Sequence, residues 1–236
     1  MKIITALVID EDGYVVDLNQ DNVWKWTGIN GASWGGGTIQ TLPNGKEDKC
    51  INISTSLYGK TSNTVPDWIH SDYTISIWTK INYSAYAACI FPGSRGTRNS
   101  GISISPKETA SKIQLMWYFY NGIQNNVYFV YSENTPYGNI NILDDKWHHI
   151  ALTRYNYTIY FFIDGIKYFT INTKIETQYD LLPPMDSPLY LNNGFIYGSN
   201  DRYRHCNGLV YQPTIVDACL WTNSIHNHAV YREYRR

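Results

Sequence analysis

The sequence predicts an all-β chain: a two-sheet antiparallel β-sandwich closed by a short C-terminal helix. Three observations predict it. Aromatic residues make up 15% of the 236 residues, with 21 Tyr, 8 Trp and 7 Phe, and Tyr and Trp favour the pleated, half-buried surface of a sheet. Charged residues are only 17%, against a usual value of about 25%, too few for the long polar faces of a coiled coil or helical bundle. Turn residues recur at short intervals, with no internal repeat and no low-complexity linker, the pattern of many short strands. Hydrophobic residues at 43% supply a core. Single sandwiches routinely run to about 200–250 residues, so the chain reads as one domain, 1–236, best supported over 70–221.

Residues 2–9 and 14–18 form two short strands around an Asp12-Gly13 turn. Residues 19–48 are loop-rich, with Trp24, Trp26 and Trp34, then Gly35-Gly36-Gly37 and Pro43-Asn44-Gly45. In YTISIWTKI, 73–81, Ile75, Ile77 and Ile81 share one face, and Thr74, Ser76 and Lys80 share the other, by the period of two of a strand. Trp78 falls on that second face, so it too is expected to be covered. Strand-like runs follow at 86–91, 101–105, 112–120 and 126–132. The stretch WHHIALTRYNYTIYFFIDGIKYFTI, 147–171, splits into three apolar runs at a polar kink near Tyr155-Asn156 and at Asp164-Gly165. Asp-Gly between alternating runs marks a type I′ hairpin, which needs positive φ at both central residues. Pro183-Pro184 and Pro188 mark a loop, and 189–192 and 208–221 read as the last strands. The tail TNSIHNHAVYREYRR reads as the short helix, capped by Thr222 or Asn223. Ile225, Ala229 and Tyr234 lie roughly on one face of it, and its Arg residues end it, as the macrodipole prefers. The expected core holds Ile75, Ile77, Trp147 or its neighbours, Ile159, Phe161, Ile163 and Leu209.

Charge narrows the partners. Lys plus Arg is 19 and Asp plus Glu is 20, a net charge of −1. No basic excess exists to neutralise a phosphate backbone, which removes nucleic acid as a main partner, and there is no polybasic patch for a membrane surface. No run approaches the roughly 18 apolar residues of a membrane helix. At the N-terminus, the apolar stretch Ile3–Ile9 runs into Asp10, Glu11 and Asp12 with no small-residue cleavage site, so it reads as a strand entering a turn and not as an export signal. The expectation is a chain made in a cytoplasm that reaches a virion or the exterior by assembly, lysis or another non-classical route. Cys50, Cys89, Cys206 and Cys219 lack zinc-site spacing and read as buried free thiols, with disulfide pairing left open.

The stretches DYTISIWTKI, KWHHIALTRYNYTIYFFIDGIKYFT and CNGLVYQPTIVDACLW, in that order, resemble the laminin-G-like branch of the concanavalin A-like jelly rolls. That family shows an "FTISFW" strand, a "W-H-H-V-A-L-T-R" strand, a hairpin ending in "Y-V-D-G" and a late "N-G-x-I-D-x-x-R-I-Y" strand. The similar stretches here are Tyr73–Trp78, Trp147–Arg154, Tyr160–Gly165 and Asn207–Trp221, with weaker support from GASWGGGTIQ…KCINIS before them. The resemblance implies a jelly-roll fold, in a family that includes lectins, carbohydrate-binding modules, adhesion domains, pentraxin-like proteins and virion components. One departure matters. The family's late strand carries acidic residues soon after its Asn-Gly, whereas Asn207-Gly208 is followed by Leu209, Val210, Tyr211 and Gln212, and the next acid is Asp217. No metal ligands carry over, and calcium stays open as a cofactor without an assigned site.

Glycoside hydrolysis needs two carboxylates about 5–5.5 Å apart for retention or about 6.5–9.5 Å for inversion, and the enzymes with this fold carry E-x-D-x-x-E on one strand. No such motif occurs, and Glu11, Glu47, Glu108, Glu133, Glu176 and Glu233 are scattered, so hydrolysis ranks third. His148 and His149 are adjacent on a strand, so they point to opposite faces and cannot share one ion. His226 and His228 are likewise misaligned on the expected helix. Asp10, Asp12 and Asp17 hint at a calcium loop, but Tyr14 and Asp21 stand where the calcium pattern needs a ligand and a closing Glu; a plain turn is expected. Gly93–Arg98 is Gly-rich without a following helix to cradle a phosphate. The sequons at Asn52, Asn82 and Asn156 fit chance in an Asn-rich chain.

What is left is aromatic and amide residues on loops. Sugars present apolar ring faces edged with hydroxyls, so a sugar site wants Trp or Tyr to stack and Asn, Asp or Arg to hydrogen-bond. The candidate ligand-binding residues are Trp24, Trp26 and Trp34 in one loop, and Asn192, Asn193, Tyr197, Asp201, Arg202 and Tyr203 in another. The same residue types make good protein-binding loops. The leading expectation is therefore non-catalytic recognition of a glycan or surface polysaccharide, in the setting of a phage or virus surface or tail protein. The alternative is a structural or assembly protein docking to other subunits of a virion or surface complex.

Overall fold

The computed structural model describes residues 1–28, 37–54, 57–63, 71–84, 90–91, 102–106, 113–120, 125–131, 142–172, 189–192 and 206–223. These form the strands β1 (Ile3–Ile9), β2 (Val15–Asp17), β3 (Trp24–Gly28), β4 (Gly37–Thr41), β5 (Glu47–Ile53), β6 (Leu57–Thr61), β7 (Tyr73–Ser84), β8 (Ile102–Pro106), β9 (Ile113–Tyr120), β10 (Asn125–Tyr131), β11 (Trp147–Tyr155), β12 (Thr158–Ile163), β13 (Ile166–Asn172), β14 (Tyr190–Leu191) and β15 (Cys206–Val216). No helix occurs among the described residues; the helix expected over 222–236 lies outside them from residue 224 onward. The strands make a nine-stranded antiparallel sheet, β13-β12-β11-β7-β15-β1-β2 with β5 and β4 branching from β15, and two three-stranded sheets, β10-β9-β8 and β14-β6-β3.

The alternation in β7 sets the layers. Tyr73, Ile75, Ile77 and Ile81 join Ile150 and Leu152 of β11, Ile159, Phe161 and Ile163 of β12, and Ile215 of β15 in one buried cluster. Leu191 of β14 belongs to the same cluster, and Trp24 and Trp26 of β3 pack against it, so the β14-β6-β3 sheet lies over the inner face. Each fully buried Ile or Phe there contributes about 1.5–3 kcal/mol. Trp26 pairs with Gly59 of β6. A methyl group on Gly59 would come within 2.7 Å of the Trp26 ring, so the bare glycine is what lets the indole lie down on its neighbour.

The outer face is also covered, as Trp78 implied. Leu42, Cys50, Trp78 and Tyr211 form a second buried cluster, with Trp147 and Leu209 packed on it. The expected core is corrected here: Trp147 and Leu209 both pair with Lys80, so they have outer-face parity and are half-buried. The expected strand 208–221 also ends early. Beyond Val216 the chain becomes a strap across the outer face. Thr74 Oγ1 donates to the Ala218 carbonyl (2.7 Å) and accepts from the Leu220 N–H (3.0 Å). Lys167 Nζ donates to the Thr222 carbonyl at 3.0 Å. The Trp221 ring stands edge-on to Phe162, centroids 6.4 Å apart.

Two tight hairpins link β11, β12 and β13. Asp164 and Gly165 both have positive φ, 50° and 80°, the type I′ pattern expected of Asp-Gly. The kink expected near Tyr155-Asn156 is a second such turn, with Asn156 at 45° and Tyr157 at 64°. The Asp72 carboxylate accepts the Asn156 N–H at 3.0 Å and steadies it.

Asp17 ties the first three strands together. One carboxylate oxygen accepts the N–H groups of Ala6 and Asn19, each at 2.9 Å. The other accepts Thr5 Oγ1, Asn22 Nδ2 and Trp24 Nε1. Asp10 instead accepts the Tyr14 N–H at 2.8 Å, so these acids do not converge, and the segment is the plain turn expected. Replacing Asp17 by Ala strips an acceptor from five donors, and we expect a loss of at least about 3 kcal/mol in urea unfolding. A loss under about 1 kcal/mol would show that water satisfies them equally well.

Candidate functional site

The sequence-expected ligand residues divide on inspection. Trp24 and Trp26 lie on strand β3 and not in the loop expected over 19–48, which also holds β4 and the start of β5; both are half-buried, with rings stacked at 6.3 Å and 24°, and they pack against the core. The Trp24 indole N–H is held by Asp17 at 2.9 Å. Asn192 is fully buried, at a φ of 56°. Its Nδ2 donates to the carbonyls of Ser54 (2.8 Å) and Cys206 (3.2 Å), and its Oδ1 accepts the Cys206 N–H at 2.7 Å. That carboxamide is committed to the backbone, so Asn192 acts as a clamp that ties the end of β14 to Ser54 and to the start of β15. Trp34, Asn193, Tyr197, Asp201, Arg202 and Tyr203 lie outside the described residues.

A recess that the sequence reading missed opens where β15 changes partners. Gly208–Val210 pair with Ile53–Ile51 of β5, while Thr214–Val216 pair with Ala6, Thr5 and Ile3 of β1. Between these stretches Gln212 has a φ of 46°, and Pro213 has no N–H to offer a ladder. The pairing passes from β5 to β1 there, and a slot of about 30 Å³ remains at the exchange. Leu7, Ile51 and Val210 line it from the core, and Asp48, Lys49, Tyr211 and Gln212 supply its polar groups. Asp48 Oδ2 accepts the Tyr211 hydroxyl at 2.8 Å. Lys49 Nζ donates to the carbonyls of Asp10 (3.0 Å) and Glu11 (2.8 Å). The Gln212 carboxamide makes no hydrogen bond among the described residues. The one sequence clue was Gln212-Pro213 inside a strand run, which marks a break in pairing. A side chain at Gly208 would meet the Lys80 carbonyl at 2.2 Å, so the close approach of β15 to β7 beside the fork requires glycine.

Cys50, Cys206 and Cys219 are free, the first two buried as expected, and Cys89 lies outside the described residues. Burial, helped by the charge of Asp48, pushes the Cys50 thiol up to about 12, far from a reactive thiolate.

The two histidines sit on opposite faces, as expected. His148 lies between two carboxylates: Nδ1 is 2.8 Å from Asp164 and Nε2 is 3.0 Å from Asp144. Ionised carboxylates only accept, so a carboxylate at each ring nitrogen favours the doubly protonated, charged form of the ring. Burial pulls its pKa down, but the hydrogen bonds and charges of Asp164 and Asp144 outweigh that and raise it. The two acids are thereby spent on one histidine, and neither is placed as a hydrolytic acid or nucleophile. No group of three His, Cys, Asp or Glu side chains able to hold a metal occurs among the described residues.

His149 is the opposite case. It is buried between Trp78 and Trp221, with centroids 4.9 and 6.0 Å away. Its Nε2 meets Ser76 Oγ at 2.9 Å, and its Nδ1 has no partner among the described residues. Burial pushes it down to about 4 despite the Asp164 charge. A base whose pKa is depressed in the fold stabilises above its unfolded value and loses that as pH falls. His149 should therefore cost stability between pH 6.5 and about 4, by up to about 3 kcal/mol. His149→Gln should flatten the acid side of a urea-midpoint profile, and an unchanged profile would show that the ring is charged without penalty.

The family model for the concanavalin A-like lectin/glucanases superfamily matches residues 54–226. A search of the curated proteins finds no match. Among solved structures, domain 4 of AbnA, a GH43 extracellular arabinanase from Geobacillus stearothermophilus solved in complex with arabinotriose, superposes with a TM-score of 0.63 at 16% identity, over 93% of this chain and 94% of that one. The binding domain of Paraclostridial Mosquitocidal Protein 1 gives 0.57 at 14% identity, over 93% and 49%. A mutant GH54 α-L-arabinofuranosidase gives 0.54 at 11%, over 90% and 47%, so this chain spans about half of each of those two. Identities this low speak for a common fold. With the expected strands and hairpin in place and the family model covering most of its length, the chain belongs to the concanavalin A-like lectin/glucanases superfamily.

Proposed function

We propose that the chain is a non-catalytic glycan-binding module. The observation that supports this best is the nearly end-to-end correspondence, 93% of this chain against 94% of the other, with a domain solved in complex with arabinotriose. The chemistry agrees with it. A rigid sandwich can present aromatic, amide and hydroxyl groups without reordering, which limits the entropic cost of holding a flexible oligosaccharide. Tyr197, Asp201, Arg202 and Tyr203 supply the stacking and hydrogen-bonding types such a ligand needs and remain candidates from the sequence. The charge balance disfavours a strongly anionic polymer, and a neutral glycan fits it best.

The test is a glycan-array screen of the purified chain, run with calcium and again with EDTA. We expect a specific, saturable signal in both. A signal lost in EDTA would keep the glycan and add a calcium ion to the site. No signal in either would overturn the proposal and favour a subunit that docks to other proteins, which would then co-purify with partners or scatter light as an oligomer.

A further inference from the structure

We propose that the fork in β15 is a sugar-hydroxyl site, in which two adjacent hydroxyls of a neutral sugar displace water and bond to Asp48 and Gln212. This rests on the glycan-binding reading and gives it a location separate from the loop residues expected from the sequence.

Size comes first. One water needs about 10–15 Å³ of such space, so a slot of about 30 Å³ holds two oxygen atoms and not a whole sugar ring. The ring must lie outside, with one edge dipping in. Polarity then matches a pair of hydroxyls, each of which both donates and accepts. The Asp48 carboxylate has about four acceptor positions and uses one for the Tyr211 hydroxyl and one for the Lys49 N–H, so two remain for incoming O–H groups. The Gln212 carboxamide, unspent among the described residues, supplies N–H donors to the hydroxyl oxygens.

Charge selects the occupant further. The Asp48 carboxylate repels an anionic sugar, and the Lys49 ammonium lining the same slot repels a metal ion. The donors and acceptors are also fixed before binding. Asp48 is pinned by Tyr211, Lys49 is tied to two carbonyls of the β1–β2 turn, and Gln212 sits on a turn locked between two paired stretches of β15. Such preorganisation lowers the cost of binding.

The experiment is calorimetric titration of the full chain with its strongest array ligand and with arabinotriose, in the wild type and in Gln212→Asn and Asp48→Asn. Asparagine tolerates the left-handed backbone at 212 and withdraws the carboxamide by one carbon. At 48 it keeps an acceptor for Tyr211 and removes the charge. Each variant should keep its melting temperature and lose affinity by about tenfold or more. An analogue lacking one of the two hydroxyls should lose at least as much. Intact affinity in both variants, with the wild type binding, would sink the slot alone and assign it to water. A wild type that binds no array glycan would sink both the slot and the glycan-binding reading.

Discussion

Strand β15 has to serve three neighbours along eleven residues, and much of the sheet's geometry follows from how it does so. Along one edge it pairs with β7, the hydrophobic centre of the sheet. Along the other it pairs first with β5 and then with β1. The ladder to β5 ends at Val210 and the ladder to β1 begins at Thr214, so the pairing is broken in between. The sequence resolves this with two local devices: a glycine that lets the backbones nearly touch, and Gln212-Pro213, where a positive φ and a missing N–H end one pairing and begin the next. The slot is the space left by that exchange, so its position is a consequence of strand pairing and not an ornament added to it.

The rest of the molecule keeps that sheet rigid from both sides. On the inner face Asp17 gathers donors from β1, β3 and the intervening turn, so the edge of the large sheet and the edge of the small one move together. On the outer face the strap after β15 spends its carbonyls on Thr74, Thr153 and Lys167 and lays Trp221 over His149. The two adjacent histidines show how strongly a strand divides environments. In one the flanking carboxylates favour the protonated ring, and in the other burial among aromatic rings favours the neutral one, although their Cα atoms are neighbours. Such rigidity is what a binding surface without moving parts requires.

Local periodicity carried most of the fold. The alternation at 73–81 gave the faces of β7, the Asp-Gly pair gave its hairpin, and an outward Trp78 implied a second covered layer. Three parts were misjudged. Residues 19–48 read as loop because of their Gly, Pro and Asn content, yet hold β3, β4 and the start of β5; Trp147 is apolar enough for the core, but alternation along β11 already sets it opposite Ile150 and Leu152; Leu209 takes its face from its register against Lys80. Tyr155-Asn156 looked like a kink because Asn-Tyr is a poor match to the usual turn pairs, and Asp72, far away in sequence, compensates. The candidate site was less legible. Composition pointed to aromatic and amide residues, but burial reassigned Asn192 to the backbone and drew Trp24 and Trp26 toward the core. Asp48 and Gln212 gave no sign of their proximity, since they lie 164 positions apart (212 − 48) and meet only through the β5–β15 pairing.

The most direct measurement is an NMR titration of the isotope-labelled chain with a panel of neutral oligosaccharides that includes arabinotriose, following each backbone amide. The account predicts saturable shifts for at least one oligosaccharide, concentrated at residues 48–49 and 210–212 together with any loop that shares the ligand. Shifts absent throughout the panel, or saturable shifts that leave the fork untouched, would contradict it.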